Sequence, residues 1–172
     1  MFRKLRARAG AMRTIAALLT DAEEIAHRSG AERPAAEHLV LAALQLPDGT
    51  AARALERVGS SAGELGAALD AEEAEDLGRV GIHADRDRIS GELPPPIQPV
   101  GVYRSEPSAQ ELFQTAGDDA RARGGSLVGA HVLRAAAALD HGPTARALDR
   151  MGIDRTELRA AASAEIEDRG SA

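Results

Sequence analysis

The stretch EHLVLAALQLPDGTAARALERVG, from Glu37 to Gly59, returns ninety-three residues later as AHVLRAAAALDHGPTARALDRMG, from Ala130 to Gly152. A duplication constrains the fold more than any other feature of the chain, because both copies must bury the same pattern in the same way. Aligned without gaps, His38 to Leu69 and His131 to Ala162 agree at fifteen of thirty-two positions. Six of these are Ala in an Ala-rich chain. The other nine carry the case: His38/His131, Leu46/Leu139, Gly49/Gly142, Arg53/Arg146, Leu55/Leu148, Arg57/Arg150, Gly59/Gly152, Glu64/Glu157 and Leu65/Leu158. Upstream, with one residue slipped, Leu18, Ala22, Ala26 and Gly30 face Leu112, Ala116, Ala120 and Gly124, so the repeat is about fifty residues long.

Each copy reads as four helices. Met12, Ile15, Ala16, Leu19, Ala22 and Ala26 share one helical face, and Ser29 and Gly30 supply the stop. Pro34 can open a second helix carrying Leu39, Ala42, Ala43 and Leu46, matched by Val132, Ala135, Ala136 and Leu139. After the turn at Pro47 to Gly49, a third stripe of Ala51, Ala54, Leu55 and Val58 is matched by Thr144, Ala147, Leu148 and Met151. Gly59 and Gly152 end these helices where the chain needs positive φ. A fourth helix holds Leu65, Ala68 and Leu69, then Leu158, Ala161 and Ala162. None of these helices is long enough to be stable alone, so their stripes must be buried against one another. The expectation is an all-α fold of two pseudo-symmetric four-helix repeats forming one compact domain.

The boundaries follow. Residues 1–11 form a basic N-terminal arm with Arg3, Lys4, Arg6 and Arg8, and residues 12–70 form repeat one. Residues 71–105 hold an acidic helical stretch, then LGRVGIHAD, an echo of LDRMGIDRT that suggests a further short helix, turn and helix. They end in a connector in which Pro94, Pro95, Pro96 and Pro99 exclude helix. Residues 106–168 form repeat two.

A hydrophobic share of 44% with 28% charged residues is globular, and a net charge of −6 argues against nucleic acid as partner. The absence of cysteine removes disulfides and thiolate metal sites and suits a cytoplasmic setting. No segment is apolar enough to serve as a signal peptide or to span a bilayer. The five histidines show no H-x-x-x-H spacing, and there is no nucleophile elbow or phosphate-binding G-x-x-x-x-G-K-[ST] loop. Hence no metal, cofactor or catalytic set is expected. Arg53, Arg57, Arg146 and Arg150 read as a solvated charged face or as an edge that docks an acidic partner.

The four-helix unit with EHLVLAAL, then Ala51, Leu55 and Gly59, matched by His131, Leu133, Ala147, Leu148 and Gly152, resembles the Clp repeat found as the N-terminal domain of Clp ATPases. The resemblance covers about residues 12 to 166. It implies a free-standing, non-enzymatic protein-binding module of the Clp unfoldase and protease system, a form found in actinobacteria and expected as a monomer or weak dimer. Its partners would be a Clp ATPase, an adaptor or a substrate segment. The family also implies two kinds of ligand. Some members bind phosphoarginine through a Glu before each repeat's His and a Thr at the start of its first helix; here Glu37, next to His38, fills one carboxylate position and Ala130 replaces the other. The threonine positions fall near Met12 and Glu106, with Ser105 adjacent. Other members bind cyclic-peptide antibiotics through aromatics near the N-terminus and in the linker, which points to Phe2 and Tyr103, although Phe2 is about six residues out of register. A decoy that sequesters such a ligand is the alternative function.

Overall fold

The computed structural model describes residues 2–79 and 105–170. The proline connector, Tyr103 and the end of the LGRVGIHAD echo lie outside the described residues. Eight helices fill the rest: α1 (Phe2–Ser29), α2 (Ala36–Gln45), α3 (Thr50–Arg57), α4 (Ala62–Arg79), α5 (Pro107–Ala122), α6 (Gly129–Ala136), α7 (Pro143–Arg150) and α8 (Arg155–Gly170). The fold is all-α, with no strand among the described residues.

Helices α2 and α6 form the centre. Apolar groups cover nearly their whole circumference: Leu39, Val40, Ala42 and Ala43 on one, Val132, Leu133, Ala135 and Ala136 on the other. A short helix with this little polar surface has to be enclosed on all sides. The two pack against each other, with α1 covering α2 and α5 covering α6. Helices α3 and α7 bury Ala54, Leu55, Ala147 and Leu148. They end at Gly59 and Gly152, whose φ values of +75° and +68° are conformations that glycine adopts without strain.

The repeats are interlocked. Helix α3 lies against α8, the last helix of the other repeat, and α7 lies against α4. The third helix of each copy is therefore covered by the fourth helix of its partner copy, and Leu65 and Leu158 reach zero exposure in one continuous core.

Three expectations change. Helix α1 starts at Phe2, so residues 1–11 are not a separate arm in backbone terms. Its buried stripe is Leu18, Ala22, Ile25 and Ala26, with Ile15 packed against the core, while Met12 and Ala16 lie outside that stripe and are exposed. The boundary at Asp70 falls inside α4: the acidic stretch is the second half of that helix.

Where α6 begins, backbone approaches backbone. A Cβ at Gly129 would stand 2.7 Å from the Ala43 carbonyl oxygen and 3.0 Å from Ala51 Cβ, whereas the equivalent position in repeat one is Ala36. Gly129→Ala is expected to destabilise the fold by about 1–3 kcal/mol through overpacking, read as a lower urea midpoint; an unchanged midpoint would contradict this contact.

Candidate functional site

The loop before α2 brings three helices to one corner. Ala35 is extended and ends the loop. Its N–H donates to His38 Nδ1 at 2.9 Å. His38 thus performs the backward half of a capping box, a task more often given to Glu or Gln at this position. Because Nδ1 accepts, the ring proton sits on Nε2, which donates to Ser29 Oγ at 3.1 Å; that hydroxyl donates to the Ala26 carbonyl. Burial holds the His38 pKa below its ordinary value. Both nitrogens of this ligand candidate are occupied in joining α1 to α2.

Glu37 follows the cap. Burial pushes its carboxyl up, its own amide pulls it down, and Asp76 and Arg146 act on it in opposite directions. Ser105 reaches the same corner: it is buried, its carbonyl accepts Gln110 Nε2 at 2.7 Å, and the next residue's amide donates to Pro34 O at 2.8 Å. The hydroxyl that meets the start of α2 belongs to Ser108, which accepts the Ala36 amide at 3.3 Å. Glu37, His38 and Ser105 therefore gather, while Phe2 opens α1 at the end away from Ser29, roughly 40 Å along the axis.

The equivalent corner of repeat two is closed. Ala130 has no exposure; its amide donates to Thr50 Oγ1 at 2.9 Å, and Gly129 donates to Asp48 Oδ2 at 3.2 Å. Repeat one thereby caps α6 with its own side chains, and the donors that an anion would need there are already engaged.

The four arginines are committed within the chain. Arg53 Nε and Arg57 Nε meet the two oxygens of Glu165 at 2.7 and 2.6 Å, and Arg57 also holds Asp168 at 2.9 Å. Arg146 Nε meets Glu72 Oε2 at 2.5 Å, and Arg150 Nη2 meets Glu72 Oε1 at 2.7 Å. Asp76 and Glu75 complete this second set. Each central carboxylate is almost fully covered, Glu72 at 1% exposure and Glu165 at 4%, while the arginines are about half exposed. Each pair lies four residues apart on one helix and grips a carboxylate of the other repeat, so these side chains fasten the interlock. The arginines remain about half exposed, as a solvated charged face would be, while their inner nitrogens hold these buried carboxylates. Among the described residues, no group of His, Asp and Glu could hold a metal ion.

Hydrogen bonds from Arg146 hold Glu72 below the usual carboxylate range. Burial pushes Glu165 up, but Arg53 and Arg57 outweigh it and leave it depressed. A depressed carboxylate contributes stability above its ordinary pKa of 4.5 and loses it as pH falls below that value. The protein is expected to lose stability below pH 4.5, and Glu72→Gln with Glu165→Gln to flatten that dependence and lower Tm by roughly 2–8 °C at neutral pH. Circular dichroism melts across the pH range check both; a double variant that keeps the wild-type acid profile would show that the carboxylates do not fasten the repeats.

Comparison with known proteins agrees with this geometry. The Clp repeat (R) N-terminal domain matches residues 13–85. No curated protein matches the sequence. Among solved structures, the N-terminal domain of the caseinolytic protease associated chaperone ClpD from Arabidopsis thaliana is similar in fold, with a TM-score of 0.56 at 17% identity over 90% of this chain and 92% of that one. Residues 13–85 thus match the Clp repeat N-terminal domain, and over nine-tenths of its length the chain has an all-helical fold similar to that of the ClpD domain.

Proposed function

We propose that the chain is a non-enzymatic protein-binding module of the Clp unfoldase and protease system, acting in the cytoplasm on an apolar segment of a substrate, adaptor or Clp subunit. The supporting observation is an open groove of about 450 Å³ between α1 and α5, lined by Ala11, Ile15, Phe113, Ala120 and Leu127. Near it on α1 stands Met12, a large hydrophobic side chain left 73% exposed. Methionine adapts its shape to varied apolar partners, which suits a surface that accepts more than one sequence. The clamps on the far helices keep this scaffold in place without occupying the groove.

The rival reading is a decoy for a cyclic peptide or a phosphoarginine-type ligand. Binding to fluorescent casein and to the Clp ATPase of the same cell separates the two. Met12→Asp is expected to weaken protein binding about tenfold with Tm unchanged, and Met12→Leu to retain it. Unaltered binding by Met12→Asp would remove the groove from the reading. A Tm rise with a cyclic peptide, without binding to either protein, would favour the decoy.

A further inference from the structure

The two repeat histidines differ in one atom's company. His131 Nδ1 accepts the Val128 amide at 3.2 Å, as His38 does with Ala35, so its ring proton also sits on Nε2. In repeat one that N–H finds Ser29 Oγ. The slipped alignment of α1 with α5 puts Arg123 at the position of Ser29, and Arg123 turns away, its Nε to Asp119 at 3.2 Å and its Nη1 to Glu167 at 3.6 Å. His131 Nε2 is left fully buried with no hydrogen-bond partner among the described residues, although His131 is only 2% exposed. An orphaned buried donor is costly and calls for an acceptor.

His131 is one of the residues lining a cavity of about 400 Å³, between α1, the turn from Arg123 to Val128 and the end of α8. The wall is mixed. Leu127, Val128 and Ile166 make it apolar; Thr14 and Ser126 add hydroxyls; and Arg169 adds a guanidinium with no ion pair among the described residues. The nearby charges balance only when Glu167 is counted: Asp119 Oδ1 takes both Arg123 and Arg134, the latter at 2.8 Å, Glu167 takes Arg123 at 3.6 Å, and Asp119 Oδ2 is buried without a hydrogen-bond partner among the described residues. One free positive charge, one neutral N–H donor and an apolar lining match a monoanion with two oxygens better than a dianion.

We propose that this cavity binds a carboxylate carried on an apolar body, with one oxygen accepting from His131 Nε2 and the other from Arg169. The ligand oxygen takes the place that Ser29 Oγ fills in repeat one. A free organic acid and the C-terminus of a peptide ending in leucine share this chemistry. The cavity adjoins the proposed docking groove, sharing Ala11, Ser126 and Leu127 with it, but its donors His131 and Arg169 lie outside the groove and the proposal does not depend on that reading.

The test follows the imidazole nitrogens of the full chain by NMR while benzoate, benzamide, acetyl-Ala-Ala-Leu acid and its amide are added. Benzoate and the peptide acid are expected to shift His131 Nε2–H and leave His38 unmoved, and their neutral amides to do neither. Tighter binding of the peptide acid identifies a chain terminus as the source; tighter binding of benzoate identifies a free acid. Arg169→Gln is expected to weaken binding about tenfold, as for one charge-assisted hydrogen bond. Arg123→Ser is expected to remove binding by offering His131 the hydroxyl that Ser29 offers His38. Should both acids leave His131 unmoved, should the amides bind equally, or should Arg169→Gln bind normally, the proposal is overturned and the buried N–H is satisfied by water alone.

Discussion

Each half of this protein closes over the other, and a carboxylate held between two arginines marks both closures. Helices α3 and α7, eight residues each, are too short to persist alone and find their cover in α8 and α4. Apolar contact supplies most of the attraction, but contact between Ala and Leu surfaces is tolerant of sliding. The pairs Arg53 and Arg57 on Glu165, and Arg146 and Arg150 on Glu72, fix the register, because two guanidinium groups four residues apart fit one carboxylate in a single setting. With that setting fixed, α2 and α6 are enclosed, and the corners at their N-termini acquire their geometry.

Within this near-symmetry the two copies have drifted apart. Asp48 and Thr50 cap α6, whereas His141 and Pro143 stand at the equivalent positions, and α2 takes Ser108 instead. Glu37 faces Ala130, and Ser29 faces Arg123. Each exchange moves a polar group from one corner to another: repeat one keeps a carboxylate beside a satisfied histidine, and repeat two keeps an unsatisfied histidine beside a cavity. Ligand chemistry can therefore differ between two places that descend from one.

The stripes of α3, α4, α7 and α8 were readable because their periodicity is strong and doubled, and the glycine stops because positive φ leaves few alternatives. Met12 and Ala16 fall outside the buried stripe because apolar residues lie on more than one side of α1, so periodicity leaves the rotation of its face open while Ile15 and Leu18 define it in the structure. The clamp was half visible. Glu72 and Glu165 are spaced ninety-three residues apart like the arginines, as are Glu75 and Asp168, just past the last aligned residue. Extending the alignment would have found the acids, though not that each serves the opposite repeat, since exchanged and unexchanged fourth helices bury the same side chains. His38 is a ligand candidate only through its place beside Glu37 in the resemblance, and its two hydrogen bonds are what reveal its capping task.

The exchange itself is open to a direct measurement. Residues 1–90 and 91–172 can be produced separately and their circular dichroism compared with that of an equimolar mixture. Interlocked repeats predict little cooperative helix in either piece, since α4 lacks α7 and α8 lacks α3, and recovery of helix with a single melt on mixing. Two pieces that each fold and melt cooperatively alone, with no gain on mixing, would contradict the account.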